Sequence, residues 1–373
     1  MPGPPRNNLA FTVVVTVLSV LCGALMLAVV GLSGGPRILL VATVLATLPV
    51  GPVVACFLWL DRYEPEPRRL IAAGLVWGAF VATGSAIVLQ GAGGYLLGLS
   101  GDQLTAIGAP VTEEATKGLF LALLLWWRRH ELDGILDGIV YAGMVGVGFA
   151  FVENILYLSA AYSGADGLGP GGAEALTQVF VVRCLVSPFA HPLFTVFTGV
   201  GIGLAVGSRR GSVRLLAPLA GYLLAVLAHA LWNGSAVVDD GRGFLWVYAV
   251  VMFPAFVLTA GFAVWTRRSE RRMLTASLHD AARRGLLPAS DIGWLVDLGA
   301  RRRTRAFVRG QGPEAQRALR DYQQAAIELG FLHHRYLRGT APHDFAARGH
   351  AHVTRIQAAR PYFSFPGQVV PAR

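Results

Sequence analysis

The sequence predicts an all-α bundle of about eight transmembrane helices followed by a helical tail, and three observations carry that prediction. Of 373 residues, 54% are hydrophobic and 14% charged, too apolar a balance for a water-soluble globule of this length. Apolar runs about as long as a bilayer is thick recur from Leu9 to Trp265. Basic residues gather in every second connection between those runs, as they do in polytopic membrane proteins.

The first run, Leu9 to Val30, follows a short lead with prolines and Arg6. No A-x-A-like cleavage site ends it and further runs follow, so it reads as a transmembrane helix, not a secretory leader. The other spans are expected at 37–60, 69–90, 108–127, 135–158, 187–207, 214–235 and 243–265. Arg62, Arg68 and Arg69, then Arg128 and Arg129, then Arg209, Arg210 and Arg214 mark one side. The opposite connections carry Arg37, none, Arg183 and Arg242. The positive-inside rule therefore places both termini in the cytoplasm of a cell-membrane protein. Two outer connections, 91–107 and 159–186, are rich in glycine or amphipathic, and read as re-entrant or interfacial elements or as packed surface loops.

The tail, 267–373, holds 19 arginines against 8 acids, so residues 1–266 are close to neutral within the total of +10. Its helical periodicity breaks at Gly285–Pro288 and Gly310–Pro313, and it reads as a basic helical cytoplasmic domain beside a bundle of residues 1–266. Its charge suits orientation and contact with membrane lipid; no nucleic acid is expected as a partner. The tail histidines His333, His334, His343, His350 and His352 lie in loop-like sequence and are not read as a metal site. Cys22, Cys56 and Cys184 lack paired spacing, which excludes a disulfide framework and a thiolate metal site.

Charged groups at membrane depth are costly and mark functional sites. The stretch Val111-Thr-Glu-Glu-Ala-Thr-Lys117 puts Glu113 and Glu114 within a helical turn of Lys117, the only lysine in the chain. The spans also hold Glu153, His191 and His229, with Asn233 one turn further on, and Asp137 at a helix start. Counted at 1.5 Å per residue from Arg128, Asp137, Arg209 and Arg214 at the cytoplasmic flanks, Glu113, Glu153, His191 and His229 lie roughly 22–27 Å in, one layer in the outer third of the bilayer core. Two glutamates, a third glutamate and two histidines suit Zn²⁺ with a water and a carboxylate base. A proton-coupled transporter would use the same groups as a relay, but no internal repeat is visible and the groups form a layer, not a path. Phe149, Tyr157 and Trp232 read as packing aromatics.

Glu113-Glu114-x-x-Lys117, Phe149-x-x-x-Glu153, His191 in Ala190-His-Pro-Leu-Phe-Thr195, and His229-Ala-Leu-Trp-Asn233 resemble the motif series of the PrsW family of intramembrane proteases. That family is related to the type II CAAX prenyl endopeptidases. Asp61-Arg-Tyr-Glu-Pro-Glu-Pro67 is similar to its acidic proline-rich segment, so the resemblance covers about residues 55–240. It implies a membrane-embedded endopeptidase, with bacterial relatives acting at the first cleavage of membrane-anchored anti-sigma factors; the depth of the polar layer puts the cut of a single-span substrate near the extracytoplasmic face. Glu113 or Glu114 would be the general base beside Lys117. Glu153, His191 and His229 would be the zinc ligands, and Asn233 would orient His229 or serve the oxyanion. A metal-free mechanism would use the same residues. In the CAAX branch a histidine stands where this chain has Glu153, which favours the PrsW branch; a CAAX-type prenyl endopeptidase-like protein is the alternative.

Overall fold

A computed structural model describes residues 7–32, 35–164, 170–238 and 242–368; among these there is no β-strand. The lead before Asn7 and the middle of the glycine-rich 164–172 connection lie outside the described residues. The chain forms two compact units: Met1–Leu60 with Glu66–Ala263, and Asp61–Pro65 with Val264–Arg373.

In the first unit, α1 (Asn7–Leu32), α2 (Pro36–Thr47) and α3 (Val50–Leu60) precede α4, Arg68–Leu97, which includes a π-helical stretch Trp77–Ala82. Then come α5 (Ala109–Trp127), α6 (Ile135–Ser163) and α7 (Gly172–Phe180), which leads into a second π-helical stretch, Val181–Val186. After a break at Ser187–Phe189 follow α8 (Ala190–Val206), α9 (Gly211–Val237), and a short helix and π-helical turn opening α10, Phe253–Arg283. Among the described residues, seven helices are long and apolar enough to cross a membrane. The eighth expected span is present as α5, whose two glutamates and lysine keep it outside that set.

The connection 91–107 is largely helical. Its first half extends α4 to Leu97, and its second half is Gly101–Gln103 and Leu104–Gly108, helical turns that run into α5. Ser100 caps that start: its hydroxyl accepts the Gln103 N–H, and the Gln103 side chain accepts the Ser100 N–H.

Helix α6 is the hub. Of its apolar window 83% is buried, against 11% for α1, so most of α6 touches protein and most of α1 faces outward. Its surface is paved with glycine, which lets neighbouring backbones approach closely. A Cβ on Gly138 would overlap the Gly199 carbonyl of α8, one on Gly199 the Gly138 carbonyl, and one on Gly148 the Leu75 carbonyl of α4. Phe57, Trp77, Phe120 and Tyr141 fill the space between these helices.

The second unit has its own core around Leu278, Leu295, Tyr322, Phe363 and Phe365. Its helices after α10 are α11 (Ile292–Val296), α12 (Leu298–Val308), α13 (Pro313–Leu337) and α14 (Phe345–Ala359). Several tail arginines are structural. Arg360 pairs with buried Asp291, which also accepts the Tyr322 hydroxyl at 2.7 Å, and Arg355 spans Asp321 and Glu328. Four of the five histidines from His333 to His352 lie on α13 and α14, against the loop-like setting expected, and buried His333 contacts Asp280 at 2.7 Å.

Asp297 caps α12, its carboxylate accepting the Ala300 N–H at 2.6 Å, and that bond holds its pKa below the usual aspartate value. A carboxylate with a depressed folded pKa stabilises above its unfolded value, about 3.9, and the contribution is lost as pH falls through the folded one. Asp297→Ala should cost about 1 kcal/mol at neutral pH and nothing further in strong acid. Deuterium exchange of residues 298–308 in the intact chain, compared at pH 7 and in acid, measures both arms; equal protection in variant and parent at pH 7 would refute the cap.

Candidate functional site

Four helices, α5, α6, α8 and α9, and a π-helical stretch bring the charged groups of the first unit together. On α5 the turn Glu113–Lys117 points inward, with Glu114 and Lys117 fully buried and Glu113 nearly so. Lys117 Nζ lies 2.8 Å from Glu114 Oε1 and 3.5 Å from Glu113 Oε2, the helical spacing the sequence implied. It also sits 3.1 Å from His191 Nδ1 and 3.7 Å over the Phe149 ring, a cation–π contact.

The two carboxylates of the pair have different surroundings. Glu114 meets His229 Nδ1 at 3.0 Å and accepts the Thr195 hydroxyl at 3.0 Å, so both oxygens are engaged. Glu113 is held more loosely, by the Gln90 amide at 3.3 Å on Oε1 and by Lys117, with His229 Nε2 3.7 Å from Oε2.

The histidines are oriented from behind. A proton on His229 Nδ1 is directed to Glu114, which leaves the Nε2 lone pair facing Glu113. His191 takes the Lys117 ammonium on Nδ1 and directs Nε2 to Glu153 Oε2 at 2.5 Å. Such carboxylate–histidine pairs fix the ring and its tautomer in metal and hydrolytic centres. Phe194 stacks on His229 with centroids 4.7 Å apart, and Phe149 lies 5.1 Å from His191.

Glu113, His191 and His229 each offer a ligand atom within 4.8 Å of the others. The carboxylate grouped with the histidines is therefore Glu113, where the motif series pointed to Glu153. Glu153 lies behind His191, and its Oε2 is shared between the imidazole and Arg183 Nη2 at 2.5 Å. Asn233 also departs from expectation: its amide donates to the Thr105 carbonyl at 3.0 Å, tying α9 to the turn before α5 instead of orienting His229.

Arg183 was missed as a site residue. It lies in the stretch Val181–Val186, reaches Glu153, donates to Asn154 Oδ1 at 2.8 Å, comes within 3.4 Å of His191 Nε2, and stacks 3.9 Å over Tyr157. The signal was a lone arginine in an otherwise base-free outer connection, eight residues before His191. Gln90 and Thr195, the other missed contacts, are uncharged and gave no comparable signal.

Glu113, Glu114 and Glu153 thus meet two fixed cations, Lys117 and Arg183, and two histidines. As charged groups they sum to one negative charge; His229 Nε2 and a Glu113 oxygen are open to a ligand, and His191 Nδ1 becomes a third donor when the Lys117 ammonium gives up its contact. Both features fit a divalent metal of the borderline-soft class.

A family model described as PrsW family intramembrane metalloprotease matches residues 66–259. The chain belongs to that family. It is similar to Protease PrsW of Geobacillus kaustophilus, 28% identical over 206 residues, which are 52% of this chain and 80% of that protein. It is also similar to Protease PrsW of Bacillus subtilis, 24% identical over 218 residues, 58% of this chain and 90% of that one. No solved structure matches. All the groups just described lie within the matched segment, so this PrsW-family chain is a multi-pass membrane protease whose polar centre falls inside the family's own region.

Proposed function

We propose that the centre around Glu113 hydrolyses a peptide bond in the outer juxtamembrane part of a single-span membrane protein. The observation that carries this is the convergence of buried Glu113, His191 and His229 from three helices, each backed by a counter-group. Glu113, the looser carboxylate, takes the proton from the attacking water as its oxygen bonds to the carbonyl carbon. The same proton is then delivered to the leaving amine as the C–N bond breaks. Glu114 holds His229, and Glu153, steadied by Arg183, holds His191; these are positioning residues. Lys117 balances the acids and limits their mutual repulsion.

Glu113, His191 and His229 would hold the metal, and zinc suits two imidazoles and a carboxylate. When bound, it supplies Lewis-acid polarisation of the scissile carbonyl. A metal-free route uses the same proton transfer from water to Glu113.

The side that is cut follows from depth. With both termini cytoplasmic, the centre lies roughly 3–8 Å below the outer surface of a 30 Å core, and water arrives from the nearer face. Bonds at or just beyond the end of a substrate helix are the easiest to unwind. The product left in the membrane keeps the cytoplasmic part, which suits regulators of the anti-sigma type. Reconstitution with single-span substrates and mass spectrometry of both fragments tests this. Cuts are expected in the outer juxtamembrane region or last outer turn; a cut in the cytoplasmic half would overturn the orientation or the site.

A further inference from the structure

Beside the histidines the first unit has an apolar cavity of about 190 Å³ that the chemistry above does not use. It lies between the residues joining the π-helical stretch Val181–Val186 to α8, the outer end of α9, and the opening turns of α10. Its inner wall is Leu193, Phe194, Trp232 and Met252, one packed cluster. Its rim carries Leu185, Val186 and Phe253, which are 60%, 41% and 51% exposed, so it opens on the outer surface of the bundle.

Three features define what it takes. The polar groups of its wall are spent internally: the Tyr248 hydroxyl donates to the Val186 carbonyl at 2.9 Å, and the Ser187 hydroxyl to the Val182 carbonyl at 2.7 Å. An occupant therefore finds hydrocarbon and ring faces and gains nothing by being polar. Its volume exceeds the roughly 150 Å³ that admits benzene to an apolar protein cavity, so a phenyl ring or branched aliphatic group fits. Phe194 forms part of this wall and stacks on His229, with His191 edge-on at 5.9 Å, so an occupant sits one ring from the candidate reacting groups.

We propose that this cavity is the specificity pocket of the protease, receiving a large apolar side chain of the substrate residue next to the scissile bond. The idea rests on the proteolytic reading above and narrows its substrate to single-span segments bearing Phe, Leu or a similar residue at the cut. Docking that side chain holds the unwound segment in register with Glu113, and its energy is available for orientation at the bond that breaks.

The test uses the full chain in phosphatidylethanolamine–phosphatidylglycerol vesicles. The probes are synthetic single-span peptides whose outer juxtamembrane segment is Gly, Ser and Ala except for one Phe, placed at successive positions. The cut, mapped by mass spectrometry, should move one residue for each residue the Phe is moved. The Phe peptides should be cut at least about tenfold faster than the all-small peptide, the scale on which an apolar pocket discriminates. Exchange of that Phe for Asp should remove the advantage. Met252→Trp narrows the cavity and should lower the Phe-to-Ala preference about tenfold. Phe256 also lines the cavity, its ring 4.9 Å from that of Phe189, and Phe256→Ala widens it and should raise cleavage of a Trp-bearing peptide. A cut that stays at a fixed distance from the bilayer whichever residue is present, or preferences unchanged in both variants, overturns the pocket and leaves the protease standing. No cut in any peptide counts against the proteolytic reading and removes this one with it.

Discussion

Glu113→Gln is expected to lower cleavage by roughly 10²- to 10⁴-fold, the range that a positioned general base contributes, with the helix bundle unchanged. The substitution keeps the side-chain shape and removes its charge. The neighbours tolerate this because Glu114, the more enclosed acid, carries the short contact to Lys117 and the hydrogen bonds from Thr195 and His229. Elemental analysis of the same preparations separates base from ligand. The unaltered protein should carry close to one zinc per chain, reduced in His191→Ala, His229→Ala and, to the extent that Glu113 is a donor, in Glu113→Gln. Undiminished turnover in Glu113→Gln would remove the base assignment. Full activity in zinc-free protein would leave the metal-free route.

Gly199→Val should prevent recovery of folded protein, the largest stability effect expected in the first unit. A side chain on Gly199 would meet the Gly138 carbonyl and the Ala142 methyl, both on the hub helix α6. A backbone carbonyl cannot turn aside as a flexible side chain does. Overpacking already costs about 1–3 kcal/mol where side chains can yield, and a clash of two backbones costs more. Gly91→Val is the control, since nothing lies within 4 Å of a Cβ there. Size-exclusion profile and thermal unfolding in detergent decide it: equal behaviour of the two variants would mean that the α6–α8 approach does not hold the bundle together.

Much of the centre was legible because membrane depth makes charge conspicuous. Glu113, Glu114, Lys117, Glu153, His191 and His229 stand out against apolar sequence, and the structure gathers all six. The division of labour among the carboxylates was not legible. Whether Glu113 or Glu153 shares a face with the histidines depends on the rotation of α6 relative to α5 and α8, and helical spacing within one segment does not fix rotation between segments. Arg183 was missed because it sits in an interrupted helix that read as an outer connection, and charge there is ordinary. Asn233 was overread: one turn beyond His229 puts it near the same face, yet the helical start at Ser100 brings the Thr105 carbonyl within its reach. The glycine spacing along α6 was visible, but which neighbour each glycine admits is a tertiary fact.

Two hydrogen bonds between α4 and α5 bear on how the chain enters the bilayer. The Trp77 indole N–H donates to the Thr116 carbonyl at 2.9 Å, and the Thr116 hydroxyl donates to the Ala82 carbonyl at 3.2 Å. Trp77 and Ala82 are the two ends of the π-helical stretch, where wider turns offer backbone carbonyls to partners outside the helix. Alone, α5 is a poor candidate for insertion. Its two glutamates and lysine together oppose transfer by roughly 8–10 kcal/mol before pairing, and its leucines return only about half a kcal/mol each. The bonds to α4 form only when the two helices lie side by side, and the buried indole sets their relative height. None of the acids takes part in these two bonds. Neutralising the acids therefore lowers the cost of entry and leaves the register of α5 where it was.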